Sequence, residues 1–159
     1  MKKIVSDTGA LISLEKLVDG YQFIQKLYNE IIIPPKVLEE LSFHYPNPEA
    51  YLKKYNVEHL IKVDSNFIAI DAETKAIHQG EIEAISLAKT LNLELLIEDV
   101  DGRKIAIKEG LQTSGITGQI LRALNKGIID KPEALNKLEE LFENKRLNKK
   151  LYKILNKKL

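Results

Sequence analysis

Short apolar runs alternate with longer stretches of helical periodicity along the chain. Buried strands are predicted at residues 3–5, 31–33 and 93–97, with shorter ones at 60–63 and 111–113. Helices are predicted up to residue 17 and over 21–28, 35–43, 49–55, 80–91, 103–109, 117–126 and from 130 to the C-terminus, whereas residues 64–79 show no clear pattern. Strands that alternate with helices indicate an α/β domain with a mainly parallel sheet covered on both faces by helices.

Length and composition restrict the class of protein. The chain has 159 residues, 44% hydrophobic and 30% charged, which is typical of one globular domain spanning residues 1–159. No apolar run approaches the roughly 20 residues that a membrane-spanning helix needs, and the chain turns polar at Ser6, too early for a signal peptide. We therefore expect no membrane partner and a cytoplasmic location. The lack of cysteine excludes disulfides, thiolate metal sites and cysteine nucleophiles.

Positive charge is concentrated at the end of the chain. Residues 144–159 hold seven basic side chains and no acidic one, so the rest carries 17 basic against 23 acidic residues, a net charge of −6. An acidic body with a basic C-terminal segment is compatible with an acidic metal site beside a phosphate-binding surface. The alternative is that the basic side chains only form a solvated helix face.

Two aspartates follow predicted strands at strand-to-helix turns. Asp7 precedes Thr8 and Gly9 after the first strand, and Asp99 follows the strand at 93–97 in the same way. Sites in parallel sheets lie beyond the carboxyl ends of the strands, so the two acids converge if their strands are neighbours. Close carboxylates cannot all stay ionised without a cation. Hard oxygen ligands, with no cysteine and no suitable histidine pair, favour Mg²⁺ or Mn²⁺ over zinc.

Glutamates on two predicted helices are further candidates. At about 100° per residue, Glu40 falls at the edge of the apolar stripe of its helix, whereas Glu39 points nearly opposite to that stripe. On the helix that begins at Gly80, Glu81 lies on the apolar face and Glu83 lies at its flank. Each acid also has an ordinary structural explanation as a helix cap, a first-turn residue, an Asx turn or a surface residue. Only their joint occurrence on these element ends indicates a site.

Four segments in this order resemble the motifs of PIN domains. The stretch IVSDTGALI at residues 4–12 resembles the PIN opening, in which a strand-end Asp precedes Ser or Thr and a small residue. Residues 37–41 resemble the second motif, and residues 80–88 and 95–99 resemble the third and fourth. The stretches GEIEAISLA and LLIEDVDGRKIA look most like a branch related to VapC-type toxins. The likeness covers essentially the whole chain.

The resemblance implies a fold, an activity and a set of site residues. The fold is a PIN-like three-layer α/β/α domain with a central, mainly parallel sheet and extra C-terminal helices. The activity is Mg²⁺- or Mn²⁺-dependent endoribonuclease cleavage, with a cognate antitoxin protein as a possible partner. The metal-binding and catalytic acids are then Asp7, Glu40, Glu81 and Asp99, with Glu83 and Asp101 as second candidates. The sequence departs from the PIN motifs at two positions that bear on activity. The third acid is Glu where many PIN enzymes have Asp. Ile97 stands where many relatives have a Thr or Ser whose hydroxyl would support the last acid.

The same residues also resemble motifs of other protein classes. Asp7-Thr8-Gly9-Ala10 also resembles the active-site tetrapeptide of aspartic proteases, but that family is all-β and the helical pattern after Ala10 excludes it. A phosphatase with an aspartate nucleophile carries a second Asp where Gly9 stands. The histidines, at 44, 59 and 78, show no ligand spacing and are expected on the surface or in loops. The alternative that stays open is a PIN-fold module that binds nucleic acid or protein with weak or no catalysis.

The two ends of the chain suggest binding surfaces. In the predicted C-terminal helix at 144–159, helical spacing of apolar residues predicts a face docked on the domain at Leu147, Leu151, Ile154 and Leu155. Lysines on the opposite face are expected to bind RNA phosphates: Lys149, Lys150 and Lys153. The predicted helix pair over residues 10–28 holds more apolar side chains than one small core needs, which predicts a homodimer; they are Leu11, Ile12, Leu14, Leu17, Tyr21, Phe23, Ile24 and Leu27.

Overall fold

A computed structural model describes residues 2–71 and 77–159. Its strands are β1 (Lys3–Ser6), β2 (Glu30–Ile33), β3 (Ile61–Val63), β4 (Leu95–Leu96) and β5 (Thr113–Ser114). They form one sheet in the order β3-β2-β1-β4-β5, and every neighbouring pair is parallel. The predicted α/β class and parallel sheet are confirmed. The strands β4 and β5 are shorter than the apolar runs that predicted them.

Helices occupy most of the remaining described chain. They are α1 (Thr8–Glu15), α2 (Gly20–Ile24), α3 (Pro35–Leu41), α4 (Pro48–Lys54), α5 (Gln79–Leu91), α6 (Val100–Lys108), α7 (Ile116–Asn125), α8 (Lys131–Glu143) and α9 (Lys149–Lys158). Among the described residues, none of these helices is both long and apolar enough to cross a membrane. Helix α6 begins earlier than predicted because the Asp99 side chain caps it. Of the segment without clear pattern, residues 64–71 form no helix or strand, and residues 72–76 lie outside the described residues.

The strand order creates a crevice at one end of the sheet. The chain passes from β1 to β2 and β3 on one side, and then continues with β4 and β5 on the other side of β1. Ligand sites in open α/β sheets form where the strand order reverses in this way, outside the carboxyl ends of the two central strands. Asp7 directly follows β1, and Asp99 follows β4 after two further residues. The fold therefore brings both strand-end aspartates to this reversal point.

The helix pair α1–α2 belongs to the core of the chain itself. Leu11, Leu14 and Ile24 are fully buried, Tyr21 and Phe23 are nearly so, and Ile12 is partly buried against the same core. The apolar excess that predicted a dimer is therefore used inside the domain, because these side chains are packed in its hydrophobic core. Self-association stays an untested prediction without this support.

The C-terminal prediction needs two corrections. Residues 144–148 are not helical: α8 ends at Glu143, Lys145 takes a positive φ of 60°, and the Asn148 side chain caps α9. The docked face is as predicted only in part: Leu147 is buried and Leu155 is partly buried against the core, whereas Leu151 and Ile154 are 37% and 41% exposed. The contact of α9 with α8 also includes an aromatic stack, in which the rings of Tyr152 and Phe142 lie 4.5 Å apart. The break between the helices therefore leaves Leu151 and Ile154 off the docked face.

Candidate active site

A cavity of about 460 Å³ opens beyond the carboxyl ends of β1 and β4. Its lining contains the four predicted acids, and we call it the acidic cavity; the lining residues are Asp7, Thr8, Gly9, Glu40, His78, Glu81, Glu98, Asp99, Lys145 and Arg146. The two second candidates are not among them. Glu83 lies further along α5 and accepts a hydrogen bond from Gln79 (3.2 Å), and Asp101 is exposed on the first turn of α6.

Asp7 is the most buried acid of the cavity, with 2% of its surface exposed. Its Oδ1 accepts a hydrogen bond from the Ala10 N–H (2.8 Å), so the side chain also caps α1. Burial raises the pKa of Asp7 to about 7, and the nearby carboxylates of Glu98 and Glu81 add to that rise against the opposing effect of the Ala10 bond. A carboxylate at this position is costly to ionise unless a positive charge is near.

Glu40 reaches the cavity from α3, at the edge of the apolar stripe as predicted. Thr8 Oγ1 donates a hydrogen bond to Glu40 Oε1 (2.7 Å), which ties the carboxylate to the start of α1. The same oxygen lies against Gly80, where an added Cβ would stand only 2.0 Å away. The glycine therefore leaves space for the carboxylate next to the first turn of α5.

Glu81 and Asp99 meet on the other side of the cavity. Asp99 Oδ2 accepts from the Gly102 N–H (2.8 Å), and a Cβ on Gly102 would lie 2.6 Å from Glu81 Oε2. Glu81 Oε1 accepts from the His78 N–H at 3.5 Å, whereas its Oε2 is buried without a hydrogen-bond partner among the described residues. Burial raises the pKa of Glu81 to about 7, with a further rise from Asp99. The unpartnered oxygen needs a proton or a cation.

Glu98 is a fifth carboxylate that the sequence analysis did not select. Its Oε1 accepts from the Ile116 N–H (3.1 Å) at the start of α7, and its Cβ lies near Gly9. The signal was its place between the apolar run that ends at Ile97 and the candidate Asp99. His78, expected only on the surface or in a loop, is exposed but also lines the cavity.

The cations of the cavity come from the break between α8 and α9. Lys145 and Arg146 line the cavity, whereas Lys149, Lys150 and Lys153 do not appear among its described lining residues. The three predicted RNA-binding lysines are exposed on α9. RNA binding by these three lysines stays a prediction, and the lysine and arginine of the described cavity lining are two other residues of the same basic segment.

The residues fit a divalent cation in chemical type. Within residues 2–71 and 77–159, no three His, Asp or Glu side chains are placed closely enough to hold a metal ion. However, the donors are hard carboxylate oxygens, Glu81 Oε2 has no hydrogen-bond partner in the described part of the chain, and Gly80 and Gly102 leave the space that two of the carboxylates occupy. Metal binding therefore requires the carboxylates to move closer together, which a cation favours because it removes their repulsion.

Sequence comparison decides the family. The family model DUF3368, described as a PIN domain, matches residues 3–159. The chain belongs to the PIN-domain family. PIN domains are generally nucleases and usually use divalent metals. The predicted resemblance is thus confirmed at the level of the family, while the VapC-type branch is not.

One solved structure agrees with this assignment in fold. A PilT N-terminus domain protein from the archaeon Sulfolobus solfataricus P2 aligns with a TM-score of 0.54 at 18% identity, over 77% of this chain and 93% of that chain. A domain of a functionally unknown protein from Methanocaldococcus jannaschii aligns with a TM-score of 0.48 at 22% identity, over 72% of this chain and 91% of that chain. The first likeness shows the fold alone. No curated protein matches the chain.

Proposed function

We propose that this PIN domain is a Mg²⁺- or Mn²⁺-dependent endoribonuclease. The observation that carries the proposal is the buried Oε2 of Glu81, which has no hydrogen-bond partner among the described residues, in a cavity that Asp7, Glu40 and Asp99 also line. Two of these acids have a pKa raised to about 7, so their ionised forms are destabilised in the absence of a cation. Perturbed pKa values of this kind cluster at functional sites, where a ligand or substrate can supply the missing charge.

The four predicted acids would hold the ion in different ways. Asp7 and Asp99 each accept a hydrogen bond from a helix N–H through one oxygen, and the second oxygen of each would be the ligand. Glu40 is oriented by Thr8, and Glu81 has a free buried oxygen. A divalent ion bound there supplies a water with lowered pKa and neutralises charge on the scissile phosphate.

The proposed reaction is hydrolysis of a phosphodiester bond. The water oxygen forms a bond to phosphorus, and the bond from phosphorus to the leaving sugar oxygen breaks. One water proton goes to that leaving oxygen and the other goes to solvent, so no oxidant or further reactant is needed. The task of the protein is to orient the carboxylates, and the cap bonds of Asp7 and Asp99 do this before substrate arrives.

A cleavage assay with matched variants tests the proposal. Purified protein should cut single-stranded RNA with Mn²⁺ and not with EDTA, and Asp7→Asn should reduce the rate about 100-fold or more, beyond the 10–100-fold typical of outer-shell changes. Asp130→Asn is the control, because Asp130 caps α8 just as Asp7 caps α1 but lies outside the cavity lining. Glu81→Gln and Glu83→Gln form a second pair on α5, and only the first should lose activity.

The outcomes separate the possible functions. Equal rates for Asp7→Asn and wild type would place the active site elsewhere, and cleavage of DNA alone would replace RNA as the substrate. RNA binding without cleavage would favour the PIN-fold binding module. We also propose, from the VapC-like stretches, a toxin that pairs with an antitoxin. In that case, induced wild-type protein should stop growth of its host while Asp7→Asn should not.

A further inference from the structure

Two cations line the acidic cavity without forming ion pairs there. Lys145 and Arg146 share the lining with five carboxylates. Among the described residues, the ion pairs within 4.0 Å all join other side chains. The cavity therefore contains positive charge that its own acids do not neutralise by direct contact.

The Arg146 side chain is held by neutral acceptors. Its Nε donates to the Ser13 hydroxyl (2.8 Å), and its Nη2 donates to the Gly9 carbonyl (2.8 Å). Ser13 is fully buried, and Gly9 lies two residues after Asp7 at the start of α1. These bonds fix the guanidinium at the edge of the cavity, and none of the ion pairs within 4.0 Å in the described chain includes it. An arginine held in this way is prepared to bind a planar or tetrahedral anion.

The backbone at Lys145 is unusual for a lysine. Its φ is +60°, a left-handed conformation that favours glycine and asparagine, and the other non-glycine residues with positive φ in the described chain are Asn56 and Asn92. Two hydrogen bonds that end α8 impose the turn: Lys145 N–H to the Phe142 carbonyl and Arg146 N–H to that of Leu141. A strained lysine at the wall of a cavity suggests that its side chain is used there.

We propose that Lys145 and Arg146 bind a phosphate of the RNA strand next to the bond that is cleaved. This inference rests on the proposed ribonuclease function. The acidic cavity repels a polyanion. Lys145 and Arg146 are the lysine and arginine of its described lining, and their charges oppose that repulsion. Arginine contributes a fork that matches phosphate oxygens, and lysine contributes a point charge. The role of the α8–α9 break is to carry these two side chains to the cavity.

The test compares charges inside and outside the cavity. Lys145→Gln should raise KM for single-stranded RNA about 10-fold and change kcat less than about 3-fold. The slope of log affinity against log salt concentration should become shallower by about 0.7, the value for one phosphate contact on a single strand. Lys157→Gln removes one charge from the same basic segment, outside the cavity lining, and should leave KM within about 2-fold of wild type. The triple variant, in which Lys149, Lys150 and Lys153 are replaced by Gln, should raise KM less than Lys145→Gln does.

A second variant separates binding from folding. Lys145→Gly removes the charge and also relieves the left-handed backbone, so KM should rise while Tm increases by about 2–4 °C. A merely structural lysine would give a higher Tm with unchanged KM. Arg146→Lys should keep part of the affinity that Arg146→Gln loses, because charge is retained without the fork.

Failure of this inference can be told apart from failure of the proposed function. If wild type cleaves RNA and Lys145→Gln shows wild-type KM and salt slope, only the phosphate site is overturned. A larger loss for the triple variant would likewise overturn it and assign binding to α9. If no protein cleaves, fluorescence anisotropy with labelled RNA still decides, since Lys145→Gln must then bind more weakly than Lys157→Gln.

Discussion

The start of α1 and the start of α8 use the same local device in different surroundings. Asp7 accepts a hydrogen bond from the N–H of Ala10 at 2.8 Å, and Asp130 accepts from that of Glu133 at 2.9 Å. Asp130 is exposed, whereas Asp7 is 2% exposed and its pKa is raised by burial and by neighbouring acids. One aspartate is only a cap, and the other is a cap and a strained carboxylate.

The comparison shows what makes a helix-capping aspartate a candidate metal ligand. The helix start itself carries no information about function, because both aspartates satisfy the backbone equally well. What distinguishes Asp7 is the strand before it, which buries the residue at the reversal point of the sheet and brings Glu81 and Glu98 close. Function here depends on the tertiary neighbours of the cap.

The arrangement of acids in the acidic cavity can be disturbed without replacing any of the carboxylates. Gly80→Ala places a Cβ only 2.0 Å from Glu40 Oε1, so the flexible end of the Glu40 side chain must move. RNA cleavage should fall about 10- to 100-fold, since small misplacements at an active site have effects of this size. Tm should be unchanged or slightly higher, because alanine is favoured over glycine in a helix by about 0.5–1 kcal/mol.

Gly118→Ala is the matched control for this variant. Gly118 lies in the first turn of α7 and is exposed, and its added Cβ would find only Ser114 Cβ at 3.7 Å, an ordinary contact. Cleavage by Gly118→Ala should equal that of wild type. Full activity in Gly80→Ala would mean that the position of Glu40 does not matter for the reaction.

Stability in metal-free buffer should separate the two aspartates by pH. The pKa of Asp7 rises from its ordinary 3.8 to about 7 in the folded chain, so the folded state binds more protons than the unfolded state in this window. Stability should therefore increase as pH falls from 8 to 5, and decrease as pH rises through 7. Asp7→Asn keeps the cap, but its stability should depend less on pH. Its Tm at pH 8 should be several degrees higher than that of wild type, since 1 kcal/mol corresponds to about 2–4 °C in a domain of this size.

Thermal melts in EDTA at several pH values measure this profile. Asp130→Asn is expected to follow the wild-type profile, because its cap is exposed and has no cavity neighbours. A wild-type melt that loses stability steadily from pH 8 to 5, in parallel with Asp7→Asn, would show that Asp7 is ionised in the metal-free protein without penalty.

Much of the fold and four of the cavity acids could be predicted from local sequence. The apolar runs in β1 and β2 are buried after the charged first residue of each strand, and the parallel order is consistent with the intervening helices. Helical periodicity also selected Glu40 over Glu39, whose side chain is 68% exposed. These features depend on spacing within one element, which the sequence displays directly.

The missed residues depend on contacts between distant parts of the chain. Arg146 reaches Ser13, 133 positions away, and no local pattern indicates that contact. The end of α8 was missed because a left-handed lysine replaces the glycine that normally marks such a turn. The direction of α9, and with it the exposure of Leu151 and Ile154 from the predicted docking face, followed from that one residue.

Calorimetric titration with Mn²⁺ tests the central claim most directly, because it measures the ion at the acids without requiring a substrate. Wild type and Asp130→Asn should bind Mn²⁺ saturably, and at 100 times Kd the ion should stabilise the folded state by about 2.7 kcal/mol. Asp7→Asn should bind at least about 10-fold more weakly, in line with losses seen when metal sites are disturbed. Equal Mn²⁺ affinity in Asp7→Asn and Asp130→Asn, or no binding by wild type, would contradict a metal site at the acidic cavity.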